Sequence, residues 1–197
     1  MLNQFKAETS ALVLIDYQVG TMQLIKNIHS DVALRNAVNL AKAAKRLQMP
    51  VVLTTSQENN VQGELAPVLQ RILPEAFKSR VQRAGIVNAW TDPNFRRAVE
   101  QTGRKQLVMG GVTTDICLVF PSISAVRGGY EVQAVMDASG SPFEIAEDMS
   151  RRRMEREGVW LTTTNTMIAE LVQDWSSSAG SELVKLLMAS APMQPVD

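Results

Sequence analysis

Short apolar segments alternate with longer amphipathic segments along most of the chain. Five segments of four or five residues are mostly apolar: residues 11–15, 51–55, 106–109, 132–136 and 159–163. Continuous apolar runs of this length are typical of strands that are buried on both faces of a parallel sheet. The pattern therefore predicts five such strands.

The segments between these strands carry apolar residues at helical spacing. Four of them are predicted helices: residues 31–47, 93–101, 115–126 and 142–157. The second has clear boundaries, with Asp92 as N-cap, Pro93 at the first position and Gly103 as stop signal. Because strand and helix alternate, the pattern predicts a three-layer α/β fold with right-handed crossovers.

The chain has the length of one domain, 197 residues, and shows no internal repeat or linker. We therefore expect residues 1–197 to form a single domain. Residues 182–188 predict a short apolar helix that covers the core or contacts a neighbouring subunit. Residues 189–197 contain two prolines and predict a poorly packed end.

Charge and composition narrow the function classes. Lys plus Arg and Asp plus Glu both total 20, so the formal net charge is zero. Because nucleic-acid binding needs an excess of basic residues, the zero net charge argues against a nucleic-acid partner. A low net charge also permits self-association. A single cysteine cannot form an intramolecular disulfide, and no apolar run approaches the ~18–20 residues of a membrane span. With no signal peptide at the N-terminus, we expect a soluble cytoplasmic protein without a membrane partner.

The chain also has a single histidine, His29, which we expect in a surface loop. A zinc site built on two or three histidines is therefore excluded within one chain. A Ser-His-Asp triad would have to use His29.

Ligands of open parallel sheets bind beyond the carboxyl ends of the strands, so the residues that follow each strand are the candidates for chemistry. Gly110 and Gly111 end one strand, and Cys117 then falls in the first turn of the next predicted helix. Free N–H groups and the helix dipole there predict a lowered thiol pKa, and they could hold an oxyanion. A small buried apolar residue is an equally good interpretation of position alone.

Two aspartates follow apolar strands. Asp16, if partly desolvated, would have a raised pKa and could move protons. It could equally be the N-cap of a helix over residues 18–26. Asp137 has the same placement, and for it a structural role is favoured.

A polar and basic segment, residues 80–90, supplies further candidates. An arginine of this segment that lies near a thiol and a carboxylate would stabilise the thiolate and orient the acid, whereas a solvated surface charge is the alternative for any single arginine. Asn88 and Trp90 line a pocket or pack a loop. Together with Gln18, they are our candidate substrate-pocket residues.

Four segments in collinear order resemble the isochorismatase-like hydrolase superfamily, also called the cysteine hydrolases, and within it the YcaC-type branch. They are Leu-Ile-Asp-Tyr-Gln at 14–18, Arg-Ala-Gly-Ile-Val-Asn-Ala-Trp at 83–90, Gly-Gly-Val-Thr-Thr-Asp-Ile-Cys at 110–117 and Asp-Ala-Ser-Gly at 137–140. The resemblance runs from about residue 8 to residue 175, leaving 176–197 as a C-terminal extension. It implies a Rossmann-like, mostly parallel sheet of about six strands.

The resemblance also implies a catalytic triad. Asp16 takes the acid/base role and Cys117 the nucleophile role, and Arg83 stands where the family has lysine. Because arginine stays protonated, it acts only as a fixed cation, which agrees with the YcaC-type branch. A cis peptide is implied between Val112 and Thr113, with this loop and the N–H of Cys117 as the oxyanion site.

Zinc-binding members of the family use Asp and His ligands that do not fit this sequence, so no metal or cofactor is expected. The cysteine favours hydrolysis of an amide or imide C–N bond of a small molecule through an acyl-enzyme. The alternatives are vinyl-ether hydrolysis without a covalent step and a non-catalytic oligomeric protein. A nucleotide-binding module has little support because the glycine pair lacks the required spacing. The resemblance implies a homo-oligomer, up to an octamer.

Overall fold

The computed structural model, which describes residues 4–190, contains one sheet of six parallel strands. In chain order they are β1 (Ser10–Ile15), β2 (Val51–Ser56), β3 (Val81–Arg83), β4 (Gln106–Gly111), β5 (Glu131–Val135) and β6 (Trp160–Thr162). Their order across the sheet is β3-β2-β1-β4-β5-β6, with every neighbouring pair parallel. The chain adds β2 and β3 on one side of β1 and then β4, β5 and β6 on the other side. The order therefore reverses between β1 and β4, and ligands of such sheets bind at this kind of switch point.

Helices cover both faces of the sheet. In chain order they are α1 (Ser30–Arg46), α2 (Pro67–Ile72), α3 (Pro74–Lys78), α4 (Pro93–Gln101), α5 (Val119–Arg127), α6 (Glu144–Arg156), α7 (Thr164–Val172) and α8 (Ser178–Ser190). The core on one face is shared by α1, α2, α3, α7 and α8, and the core on the other face by α4, α5 and α6. The predicted three-layer α/β fold is confirmed.

Strand β1 shows why the apolar runs are continuous. Leu12 and Leu14 point into the core of one face, and Val13 and Ile15 point into the core of the other. All four side chains are at most 1% exposed. Because helices cover both faces, side chains on both sides of a central strand are buried, and most of its positions are apolar.

The five predicted strands are confirmed, and β3 is the strand that the pattern missed. It is a three-residue edge strand, Val-Gln-Arg, which is too short and too polar to give an apolar run. The predicted helix over 115–126 is in part wrong, because a π-helical turn (Thr114–Leu118) precedes α5. Asp92 caps α4 as predicted, accepting hydrogen bonds from two N–H groups at 2.8 and 3.2 Å.

The C-terminal extension contributes α8, which includes the predicted helix over 182–188. Leu183 on this helix is buried in the core shared with α1 and α7. The prediction of a poorly packed end falls mainly on residues 191–197, outside the described residues. Within residues 4–190, no helix has both the length and the apolar character that crossing a membrane requires.

Candidate active site

Asp16 stands directly after β1, in a turn that its own backbone conformation makes. Its φ of 60° lies in the left-handed region, which aspartate tolerates better than most residues. The N–H of Asp16 donates to the carbonyl of Thr54 at 2.9 Å, and its carbonyl accepts from the N–H of Gln18 at 2.7 Å. The helix-cap alternative is excluded, because the only helical turn nearby, Thr21–Leu24, begins five residues later.

Arg83 reaches Asp16 from the far side of β2. The two residues lie on β3 and just after β1, which are two strand spacings, or roughly 10 Å, apart. On the way Nε donates to the hydroxyl of Thr54 at 3.0 Å, and Nη1 donates to the carbonyl of Ile86 at 2.5 Å. Nη2 then donates to both carboxylate oxygens of Asp16, each at 2.5 Å. The side chains are 1% and 3% exposed, so this is a buried ion pair and not a solvated surface charge.

Cys117 lies in the π-helical turn that follows β4. The peptide bond between Val112 and Thr113, just before this turn, is cis. The N–H of Cys117 donates to the carbonyl of Thr113 at 2.8 Å, and the N–H of Val112 donates to the carbonyl of Ile15 at 3.0 Å. Two of the N–H groups expected to meet an oxyanion are therefore engaged with carbonyls in this structure.

The prediction of a lowered thiol pKa is wrong. Burial raises the pKa of Cys117 well above its usual value, and the adjacent Asp16 carboxylate raises it further, while Arg83 and a backbone contact from Thr113 only partly oppose this. The sequence-based prediction considered the helix start, which lowers a thiol pKa, but not the Asp16 carboxylate beside the sulfur, which raises it. The raised pKa favours the protonated thiol at rest.

The prediction of a raised pKa for Asp16 is confirmed. Burial raises the pKa of its carboxyl group, while the charge and hydrogen bonds of Arg83 and a contact with the Cys117 thiol pull the pKa down. Asp16 and Cys117 thus compete for a proton beside a fixed cation. Such a pair can pass a proton without changing the net charge of the site.

These three residues line one cavity of about 390 Å³. Thr113 borders the same cavity, next to Cys117. Five apolar side chains that are also exposed complete much of the wall: Leu24, Val61, Ile86, Val87 and Ile116. The volume suits a small organic molecule. Within residues 4–190, no three His, Cys, Asp or Glu side chains cluster to hold a metal ion.

Gln18 borders this cavity, but its amide group is committed to the protein. Its Nε2 donates to the carbonyls of Ser56 and Gly63 at 2.9 and 2.5 Å, and its Oε1 accepts from the N–H of Ser56 at 2.8 Å. Gln18 therefore joins the loop after β2 to the loop after β1. It shapes the cavity wall.

Asn88 and Trp90 do not line this cavity, and their assignment to the substrate pocket is corrected. The Asn88 amide donates to the hydroxyl of Ser124 at 2.9 Å and accepts from the N–H of Trp90 at 3.1 Å. The Trp90 ring is buried edge-on against Tyr130, with centroids 5.2 Å apart. Both residues fix the loop before α4 onto the core, as the alternative interpretation proposed.

Two other sequence candidates are structural. Asp137 accepts hydrogen bonds from the N–H and hydroxyl of Thr164 at 2.7 and 2.8 Å, which anchors the start of α7. His29 is exposed before α1, 3.6 Å from Asp31, as expected of a surface residue.

Sequence reasoning missed the residues that fix Arg83 and those of the far cavity wall. Thr54 lies inside an apolar run, where a hydroxyl gives no signal of its partner. Gln57, Val61 and Gln62 enter the wall from an irregular loop after β2. Their positions depend on tertiary packing, which no periodicity reports.

Comparisons with known proteins agree with this architecture. The model of the Isochorismatase domain matches residues 10–166. The probable hydrolase YcaC of Escherichia coli K12 is 37% identical over 166 residues, which are 84% of this chain and 79% of that protein.

Two solved structures are similar over almost the whole chain. YcaC from Pseudomonas aeruginosa, with hexane-2,5-diol and covalent acrylamide, has a TM-score of 0.91 and 32% identity, covering 96% of this chain and 95% of that one. The E. coli YcaC gene product, described as an octameric hydrolase of unknown specificity, has a TM-score of 0.88 and 33% identity, covering 96% and 97%. The sheet order, the site after its central strands and these matches show that the chain belongs to the isochorismatase family of hydrolases.

Proposed function

We propose that this hydrolase cleaves an amide or imide C–N bond of a small molecule, with Cys117 as nucleophile, Asp16 as proton carrier and Arg83 as fixed cation. The observation that carries the proposal is the meeting of a thiol, a carboxylate and a guanidinium in one cavity of small-molecule size. A structural cysteine would need neither a buried ion pair beside it nor an opening to a cavity.

In the proposed reaction the thiol loses its proton as it attacks, because its raised pKa keeps it protonated at rest. The sulfur bonds to the carbonyl carbon and the proton passes to Asp16. The tetrahedral intermediate collapses when Asp16 returns this proton to the leaving nitrogen, which departs as an amine or amide. Water then attacks the thioester, giving its proton to Asp16, and the sulfur leaves and takes that proton back.

Arg83 has no proton to give in this scheme, since arginine stays charged. Its two bonds to Asp16 hold the carboxylate in place while the proton moves. Thr113 lies in the cavity wall with Cys117, where the oxyanion would form. We propose that the N–H groups of this loop and of Cys117 turn from their present carbonyl partners to the oxyanion.

One known relative supports covalent chemistry with a small amide. The P. aeruginosa YcaC structure contains covalent acrylamide, so that protein forms a covalent bond with a small amide-bearing electrophile. The octameric E. coli relative also supports a homo-oligomer for this chain.

The test is a panel of small amides and imides offered to the wild type, Cys117→Ala and Asp16→Asn. We expect turnover by the wild type alone, and an acyl adduct on Cys117 by mass spectrometry. Turnover by Cys117→Ala at the wild-type rate would refute a covalent mechanism. Activity of Cys117→Ala on a vinyl ether with an inactive Asp16→Asn would instead support the non-covalent alternative.

A further inference from the structure

The charges that line the cavity cancel one another. Apart from the Cys117 thiol, Asp16 and Arg83 are the two ionisable side chains among the described residues in its wall, and they form an ion pair. Moving the proton from Cys117 to Asp16 replaces a carboxylate by a thiolate and leaves the sum at zero. The site is therefore electroneutral in both protonation states that the proposed mechanism needs.

The Arg83 guanidinium is already committed to protein oxygens, which makes it a poor anchor for an anion. Each of its three nitrogens already donates to a protein oxygen: Nε to Thr54, Nη1 to Ile86 and Nη2 to Asp16. The side chain is 1% exposed. A substrate carboxylate that paired with Arg83 would have to compete with these oxygens, including those of Asp16, which the reaction needs in place.

The remaining wall offers no compensating charge. Leu24, Val87 and Ile116 are apolar, and Gln57 and Thr113 are neutral. Glu58, which follows Gln57 in the chain, is held by Arg80 at 2.7 Å, so this nearby pair is also neutral in sum. An ion that enters such a cavity loses hydration without gaining a partner.

We infer that the cavity selects uncharged substrates, namely small amides or imides without a carboxylate or ammonium group. This inference rests on the proposed function and names its substrate class. It also bears on the vinyl-ether alternative, because a vinyl ether that carried carboxylate groups would meet no unpaired cation among the described residues of the wall.

The single cysteine makes a direct test possible, since any thiol alkylation reports on Cys117. Iodoacetamide and iodoacetate are nearly the same size and differ in charge. With either reagent the sulfur bonds to the methylene carbon, iodide leaves and the thiol proton is released, through Asp16 or directly to water. Labelling rates of the full-length protein are followed by intact mass, and each is divided by the rate with 2-mercaptoethanol at the same pH.

We expect the normalised rate to favour iodoacetamide by at least about 10-fold, which corresponds to about 1.4 kcal/mol. Equal rates, or faster labelling by iodoacetate, would overturn the inference while leaving Cys117 as a reactive thiol. No labelling by either reagent would contradict both the inference and the proposed nucleophile. Cys117→Ala, which must stay unlabelled, checks that the mass change reports on this sulfur.

A matched pair of variants at the cavity wall tests the electrostatic cause. Val87 lines the cavity and is 57% exposed, so a longer side chain fits there without repacking the core. Val87→Lys adds a cation, and Val87→Gln adds a side chain without charge. We expect Val87→Lys to shift the normalised ratio toward iodoacetate by about 3-fold or more and Val87→Gln to leave it within about 2-fold, since close unlike charges attract. An unchanged ratio in Val87→Lys, or equal shifts in both variants, would contradict the reasoning.

Discussion

Replacing Arg83 by methionine would leave the buried carboxyl group of Asp16 without its cation. Methionine keeps much of the apolar volume of the side chain but none of its hydrogen bonds. Removing one partner of a buried ion pair typically costs about 3–5 kcal/mol, because the other charge stays buried and unpaired. The 1% and 3% exposure of the two side chains places this pair in that class. We therefore expect Arg83→Met to lower the free energy of unfolding by about 3–5 kcal/mol at pH 8.

The loss should depend on pH in a defined direction. Without Arg83, burial raises the pKa of Asp16 further above its usual 3.8, so the folded variant keeps a proton that the unfolded chain releases. The folded state then binds more protons between the two pKa values, and the stability of the variant falls as pH rises through this window. Its destabilisation relative to wild type should be smaller at pH 5 than at pH 8, by about 1 kcal/mol or more.

Urea unfolding of both proteins at pH 5 and pH 8 measures this difference. All samples need one protomer concentration, since assembly would contribute to stability. The control is the double variant Asp16→Asn, Arg83→Met, which removes the unpaired charge. It should recover at least about 1–2 kcal/mol at pH 8 and lose the pH dependence. Equal destabilisation at both pH values, or a double variant no more stable than the single one, would refute the reasoning.

Three further predictions concern the same part of the fold. Glu58, whose pKa its arginine partner lowers to about 2, contributes stability that is present above pH 4.5 and lost as pH falls toward 2. Glu58→Gln should therefore lower the free energy of unfolding, measured with urea, by about 2 kcal/mol at pH 7 and by little at pH 2. The exposed control Glu75→Gln should lower it by less than about 0.5 kcal/mol. Gly110→Ala should cost about 1–3 kcal/mol by the same assay, because the new methyl group meets the buried hydroxyl of Tyr17; an unchanged midpoint would contradict this. The rate of Cys117 alkylation by iodoacetamide should still rise above pH 9, whereas a plateau near pH 7 would show that the thiol pKa is not raised.

The parallel sheet was predictable because burial on both faces imposes a composition on each central strand. At the carboxyl ends of those strands, chain topology alone brings Asp16 and Cys117 near each other, so their partnership was open to sequence reasoning. Arg83 was harder to place. It belongs to a three-residue edge strand without an apolar run, and only the family resemblance singled it out from other arginines.

What the sequence did not reveal are the effects of tertiary contacts on individual groups. A helix start after β4 suggested an acidic thiol, but the pKa of Cys117 is decided by burial and by the carboxylate beside it. Trp90 looked like a pocket residue because it is an aromatic in a polar segment. Its ring instead packs edge-on against Tyr130, some 40 residues later in the chain. No local pattern specifies either contact.

Electroneutrality links the buried ion pair to the proposed chemistry. A cavity that held an unpaired carboxylate beside a thiol would resist forming a thiolate, since two negative charges would then adjoin each other. With Arg83 fixed next to Asp16, the proton can reside on either oxygen or sulfur while the net charge stays zero. In the proposed mechanism the guanidinium thus serves the proton transfer without taking part in it. The same neutrality that would permit this transfer would leave no free charge for an ionic substrate, so the proposed reactivity and the proposed selectivity have one cause.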